Sequence, residues 1–111
     1  MAKRMKTVWI SFDLGIRGDY ESLYSWLDIK KARECGDNLA VLNYQFSGDL
    51  VQGLTRELRR ELRTNKLSRI YLIYMNDETG KVKGKWLFGG RKAAPWSGYA
   101  PLEGERGEDE A

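Results

Sequence analysis

Residues 7–27, TVWISFDLGIRGDYESLYSWL, decide how this chain folds. From Thr7 to Leu14 the side chains alternate, with Val8, Ile10, Phe12 and Leu14 on one side and Trp9, Ser11 and Asp13 on the other. A period of two with one apolar and one mixed side is the pattern of a half-buried strand. Gly15 and Gly18 bracket a turn, after which Asp19 is placed to cap a helix and Glu21 falls in its first turn, where a carboxylate suits the helix dipole. Tyr20, Leu23, Tyr24 and Leu27 follow at helical spacing. Ala32 and Cys35 extend the stripe, and Gly36 is placed to end it. The segment thus predicts a strand, a tight turn and an amphipathic helix, with an aspartate at the strand's carboxyl end.

Working outward, Asn38 to Phe46 (NLAVLNYQF) predicts a second strand, stopped by Ser47 and Gly48. A second helix starts near Asp49, with Gln52 as capping-box partner, and runs to about Asn65; Leu50, Leu54, Leu58 and Leu62 form its apolar stripe. Arg69 to Met75 (RIYLIYM) predicts a third strand and NDETG a turn. Lys81 to Phe88 alternates again, with Lys81, Lys83 and Lys85 on one side and Val82, Trp86 and Phe88 on the other, which predicts a hairpin strand. RKAAPWSGYAPL has no period, but Trp96 and Tyr99 predict that it packs back on the domain. The order β-α-β-α-β-β predicts an α+β sandwich, a four-stranded sheet with both helices on one face. Trp9 then projects toward an open face that needs a cover. A second copy of the chain is the simplest cover, giving a homodimer through the open sheet face. The alternative cover is the chain's own C-terminal segment.

At 111 residues the chain is long enough for one domain. EGERGEDEA, residues 103–111, reads as an acidic disordered tail. Residues 1–102 carry 18 Lys and Arg against 11 Asp and Glu, a balance of +7 that exceeds the whole chain's +3. A basic body points to a polyanionic partner. With no histidine in the sequence, imidazole catalysis is excluded, and one cysteine rules out an internal disulfide and argues against zinc. Any metal chemistry would use hard oxygen ligands and an ion such as Mg2+. No stretch approaches the roughly 20 apolar residues of a membrane span, and no cleavable apolar segment follows MAKRMK. The expectation is a cytoplasmic protein without membrane contact.

Asp13 lies at the carboxyl end of the first strand, where ligands sit in open α/β sheets. Its structural reading is a strand-ending aspartate that binds its own turn. Its chemical reading is a magnesium ligand: across a two-fold axis on the open face, two copies of Asp13 would approach and demand a cation. At this point the chain resembles a family. The strand end SFDL, the glycine turn and DYESLYSWL, with SRIYLIYM after a charged helix and a late WSGYA, resemble the small ferredoxin-like proteins around the CRISPR adaptation subunit. That group includes the virulence-associated protein D toxins and the SinR-like proteins, where a YDL strand end precedes a YxxLY helix start. The resemblance covers Thr7 to Leu27 and, more loosely, Leu50 to Ala100. The family's order is βαββαβ, whereas this sequence shows one strand between the helices and an extra hairpin strand. The resemblance implies a dimeric ferredoxin-like fold with facing sheets. It also implies either metal-dependent RNA cleavage at Asp13 or a non-catalytic nucleic-acid-binding role.

Two basic features fit phosphate. Arg56, Arg59, Arg60 and Arg63 form a stripe opposite the leucines of the second helix, tempered by Glu57 and Glu61, and arginine forks suit phosphate. In GGRKAAPW, two glycines free the backbone beside Arg91, Lys92 and Trp96, a composition for single-stranded nucleic acid. Each has a plain alternative, a solvated helix face and a loop returning a tryptophan to the core. The sequence therefore predicts a nucleic-acid-associated protein. In one version it is a nuclease with Mg2+ on Asp13 and the arginines and Lys92 on the RNA or DNA backbone. In the other it is a non-catalytic homodimeric scaffold for a protein partner.

Overall fold

The computed structural model describes residues 3–101; the acidic segment expected over 103–111 lies outside them. Seven elements follow one another: β1 (Arg4–Asp13), α1 (Tyr20–Ile29), β2 (Arg33–Glu34), β3 (Leu39–Phe46), α2 (Leu50–Glu61), β4 (Arg69–Met75) and β5 (Val82–Phe88). The protein is α+β, with a five-stranded sheet in the order β2-β3-β1-β4-β5 and every neighbouring pair antiparallel. The first four strands and two helices have the connectivity of the split βαβ arrangement, β1-α1-β2-β3-α2-β4, and β5 adds an outer hairpin strand.

The alternation read in β1 sets the two faces. Val8, Ile10, Phe12 and Leu14 are buried together with Ala40, Leu42, Tyr44 and Phe46 of β3 and with Ile70 and Leu72 of β4. Leu23, Trp26 and Leu27 of α1 and Leu50, Leu54 and Leu58 of α2 close on them, so both helices lie on one face. Both expected caps form: Asp19 accepts from the Ser22 amide at 3.2 Å and Asp49 from the Gln52 amide at 2.8 Å.

The sheet has five strands, not the expected four, because α1 stops early. It ends at Lys30, and Lys31 adopts φ 60°. The Lys31 amide donates to the Asp28 carbonyl and the Ala32 amide to the Leu27 carbonyl, at 3.0 and 2.9 Å, the paired bonds of a Schellman ending. A lysine holds the left-handed position that sequence reasoning assigned to Gly36. The released residues form β2, and the turn after it reverses the chain so that β3 runs antiparallel to β1. The second strand between the helices, absent from the sequence reading, is therefore present, two residues long. The second helix also ends sooner than Asn65: Leu62 is extended, and the Arg63 amide donates to the Asp19 carboxylate at 2.9 Å instead of continuing the helix.

Two further expectations are corrected. Phe88 does not share a side with Trp86. A bulge between Ile70 and Tyr71 in the β4–β5 pairing sets Phe88 opposite Ile70 and Trp86 opposite Tyr71. Phe88 thereby turns toward α2, where Arg59 lies over its ring at 5.5 Å. Trp96 and Tyr99 do not pack back on the domain; they are 75% and 84% exposed, and the hydrogen bonds of their segment are local turns.

Candidate nucleic-acid interface

The sheet face away from the helices carries the odd-numbered residues of β1. Register places Trp9 between Val41 of β3 and Ile73 of β4, with Gly84 of β5 beyond. The next row reads Leu39, Ser11, Tyr71 and Trp86, and the row after it pairs Asp13 with Arg69. Trp9, on the central strand, is 38% exposed, and Met5, Met75 and Val82 are exposed near the same end of the sheet. This open face is apolar and aromatic in its middle, as the alternation of Thr7 to Leu14 anticipates.

Beside Trp9 runs a ladder of stacked groups. Asp13 Oδ2 stands 3.6 Å from Arg69 Nη1. The Arg69 guanidinium lies 5.0 Å from the Trp86 ring centre, Trp86 meets Tyr71 edge-on at 4.8 Å, and Arg91 lies 5.9 Å from the Tyr71 ring. Arginine over an aromatic face is held by the ring quadrupole. Arg69 Nε also donates to the Gly90 carbonyl at 3.1 Å. That bond turns the Gly89–Gly90 segment back over the sheet and delivers Arg91 to Tyr71. Gly89, at φ 71°, packs 2.7 Å (measured from a hypothetical Cβ) from the Ser68 carbonyl, so glycine is required for this return.

Gly84 is required for a different reason. A Cβ there would overlap the Tyr71 hydroxyl and ring, so Tyr71 lies flat across the sheet because β5 has no side chain beneath it. Gly84→Ala is expected to lift the Tyr71 ring and loosen both Trp86 and Arg91. Overpacking of this kind costs about 1–3 kcal/mol; thermal melting and the near-ultraviolet aromatic signal should both move, and an unchanged aromatic signal would refute the arrangement.

Asp13 is half exposed and its carboxylate is engaged twice, by Arg69 and by the Gly15 amide at 3.1 Å, the turn-binding role that aspartate fills at strand ends. Among the described residues no group of three or more Asp, Glu, Cys or His side chains gathers to hold a metal ion. A magnesium ion here would rest on Asp13 and on water, since Mg2+ keeps several waters and binds through as few as one or two carboxylates.

The arginines predicted from sequence fall in two places. Arg91 and Lys92 follow the glycine turn, with Arg91 on the open face. Arg56, Arg59, Arg60 and Arg63 sit on or just beyond α2, across the sheet from Trp9 and Asp13. Arg59 covers Phe88, Arg60 lies 3.6 Å from Glu61 and Arg63 Nε lies 3.9 Å from Asp19.

Sequence reasoning missed two sets of residues. Arg69, Tyr71 and Trp86 join the face only through register, since Ile70 to Met75 reads as one apolar run with no preferred side and Trp86 lies on a separate strand. The other set centres on Glu57, which reads as a solvated charge. Its carboxylate accepts from the Trp26 indole and the Tyr44 hydroxyl, both at 2.7 Å, and lies 3.1 Å from Lys30 Nζ. Burial pushes this carboxyl up, but the Tyr44, Trp26 and Lys30 donors outweigh it and hold Glu57 below its usual range. Burial, with the carboxylate beside it, pushes the Tyr44 phenol up. Glu57 thus ties α1, β3 and α2 together. The four-residue step from Trp26 to Lys30 was a visible signal; the partner on α2 was not.

Compared with family models, curated proteins and solved structures, the chain has no significant match. No helix among the described residues is long and apolar enough to cross a membrane.

Proposed function

We propose that this protein binds single-stranded nucleic acid on its open sheet face. The observation that carries the reading is Trp9, exposed at the centre of that face beside the Arg69–Trp86–Tyr71–Arg91 ladder. Bases stack on aromatic rings whatever their identity, and arginines next to such rings meet the phosphates. Sheet faces with aromatic residues on central strands are an established way to hold unpaired bases. The balance of +7 over residues 1–102 adds a field that draws a polyanion in. Arg91 and Lys92 are the predicted backbone contacts on this face. The stripe of Arg56, Arg59, Arg60 and Arg63 lies behind the sheet and serves at most as a second, separate electrostatic surface.

A second reading uses the same face differently, and the place of Asp13 at the carboxyl end of β1 favours it. Two copies closing sheet to sheet would bring two Asp13 carboxylates together and call for Mg2+, as in the family the sequence resembles. This reading depends on a second copy to supply the second carboxylate and on Asp13 leaving Arg69.

One titration separates these readings. Affinity for a short single-stranded oligonucleotide should fall steeply with salt, with a slope of about −0.7 per phosphate contact. Arg91→Gln with Lys92→Gln should flatten that slope by about one to two such contacts, and Asp13→Asn should leave it unchanged. Absence of binding at low salt would overturn the nucleic-acid reading and leave the face to a second copy or a protein partner. Mg2+-dependent cleavage by purified protein, abolished by Asp13→Asn, would establish the second reading.

A further inference from the structure

β3 lies beside β1 from Leu39 to Phe46, but on its other edge β2 reaches only Ala40 and Val41. The direction of its backbone groups follows from the turn before it. The Leu39 carbonyl accepts from the Cys35 amide and the Leu39 amide donates to the Gly36 carbonyl, at 2.8 and 3.3 Å. Leu39 therefore aims both groups at the outer edge. Alternation along an antiparallel strand aims those of Val41, Asn43 and Gln45 the same way. Val41 meets Arg33, while Asn43 and Gln45 have no strand beside them among the described residues. An uncovered edge is normally blunted by charge, proline or a bulge. LAVLNYQF contains no charge and no proline, and its pairing with β1 runs in unbroken register.

We propose that this edge pairs with the same edge of a second copy, antiparallel, about a two-fold axis at Tyr44. The register follows from what is already occupied. An axis at Asn43 would drive Gln45 of the second copy against Val41, which β2 holds, and an axis at Gln45 would set Asn43 against Ser47, beyond the strand. Centred on Tyr44, each copy covers the other over residues 42–46, the stretch that β2 leaves bare. Asn43 then lies opposite Gln45 at two equivalent places. Thr7 Oγ1 already donates to Asn43 Oδ1 at 2.7 Å, so the Asn43 amide group is left to donate to the Gln45 carbonyl of the second copy. A two-fold axis normal to the sheet keeps both open faces on one side, so the pairing leaves Trp9 accessible and stands apart from what binds there.

Sedimentation of the full chain at micromolar concentration is expected to give twice the 12.8 kDa chain mass. Asn43→Lys with Gln45→Lys sets like charges opposite each other and should yield monomer. Asn43→Lys with Gln45→Glu gives each lysine a carboxylate partner and should restore the dimer. Both substituted side chains lie on the exposed side of β3, and matching circular dichroism would show that all forms are folded. A wild-type monomer throughout overturns the proposal, as does a dimer indifferent to the lysine pair. A dimer broken by Trp9→Lys but untouched by the lysine pair would move the interface to the open face and overturn it equally.

Discussion

Replacing Trp9 by alanine is expected to weaken binding of a single-stranded oligonucleotide by roughly 5- to 100-fold while the protein stays folded. Stacking of one base on an aromatic ring is worth about 1–3 kcal/mol, and Trp9 is the ring that the sheet leaves most open at its centre. Its neighbours across the strands, Val41 and Ile73, keep the β ladder without it. More than a third of the side chain already faces solvent, so truncation costs stability little. Quenching of tryptophan fluorescence on titration, lost in the variant, identifies the ring that stacks. Unchanged affinity in Trp9→Ala would place the nucleic acid elsewhere, with the α2 arginines as the next surface to test.

Glu57→Ala is expected to destabilise the protein by about 2–4 kcal/mol, because it strands two donors at once. The Trp26 indole and the Tyr44 hydroxyl both lose their acceptor, and each unsatisfied buried donor costs about 1–3 kcal/mol. For a domain of this size a loss of 1 kcal/mol lowers the melting temperature by about 4–8 °C, so the fall should be about 8–32 °C. Glu57→Gln should cost less, since an amide oxygen still accepts, but it loses the Lys30 pairing at 3.1 Å. The pH dependence has a definite sign. Glu57 is held below the ordinary glutamate value of 4.5 in the folded protein, so its contribution is complete above that value. It is lost as pH falls through the lower native value. The wild type should therefore lose more stability between pH 5 and acid than Glu57→Gln does. Parallel acid unfolding of the two proteins would show that the carboxylate is not held as described.

Local sequence was enough for most elements, and the reasons are local. Thr7 to Leu14 alternates because one face of β1 is covered by helices and the other is not, and the hydrophobic effect writes that difference directly into residue order. Asp19 and Asp49 announce their helices because capping is a bond between a side chain and an amide three residues away. The place of Trp9 on an open face follows from the same parity. The early end of α1 was hidden because its left-handed residue is Lys31, where a glycine would have signalled it, and a two-residue β2 carries no period to detect. The end of α2 depends on Asp19, more than forty residues earlier in the chain, capturing the Arg63 amide.

What residue order alone determined is which side chains share a face within most elements: Trp9 with Asp13, Leu50 with Leu54 and Leu58 on α2, the arginines opposite them. What only the tertiary structure decided is which elements share a surface. Register across β4 and β5, shifted by the bulge at Ile70 and Tyr71, brings Arg69, Tyr71 and Trp86 beside Asp13 and turns Phe88 away. Packing sends Glu57 inward to Trp26 and Tyr44 and places α2 with its arginines on the helix side of the sheet, whereas Arg91 lies over Tyr71 on the open face. Periodicity is a property of neighbours along the chain, whereas a binding face is assembled across strands. Strand pairing matches hydrophobic faces and turns across distant segments, which the pattern of a single element does not display.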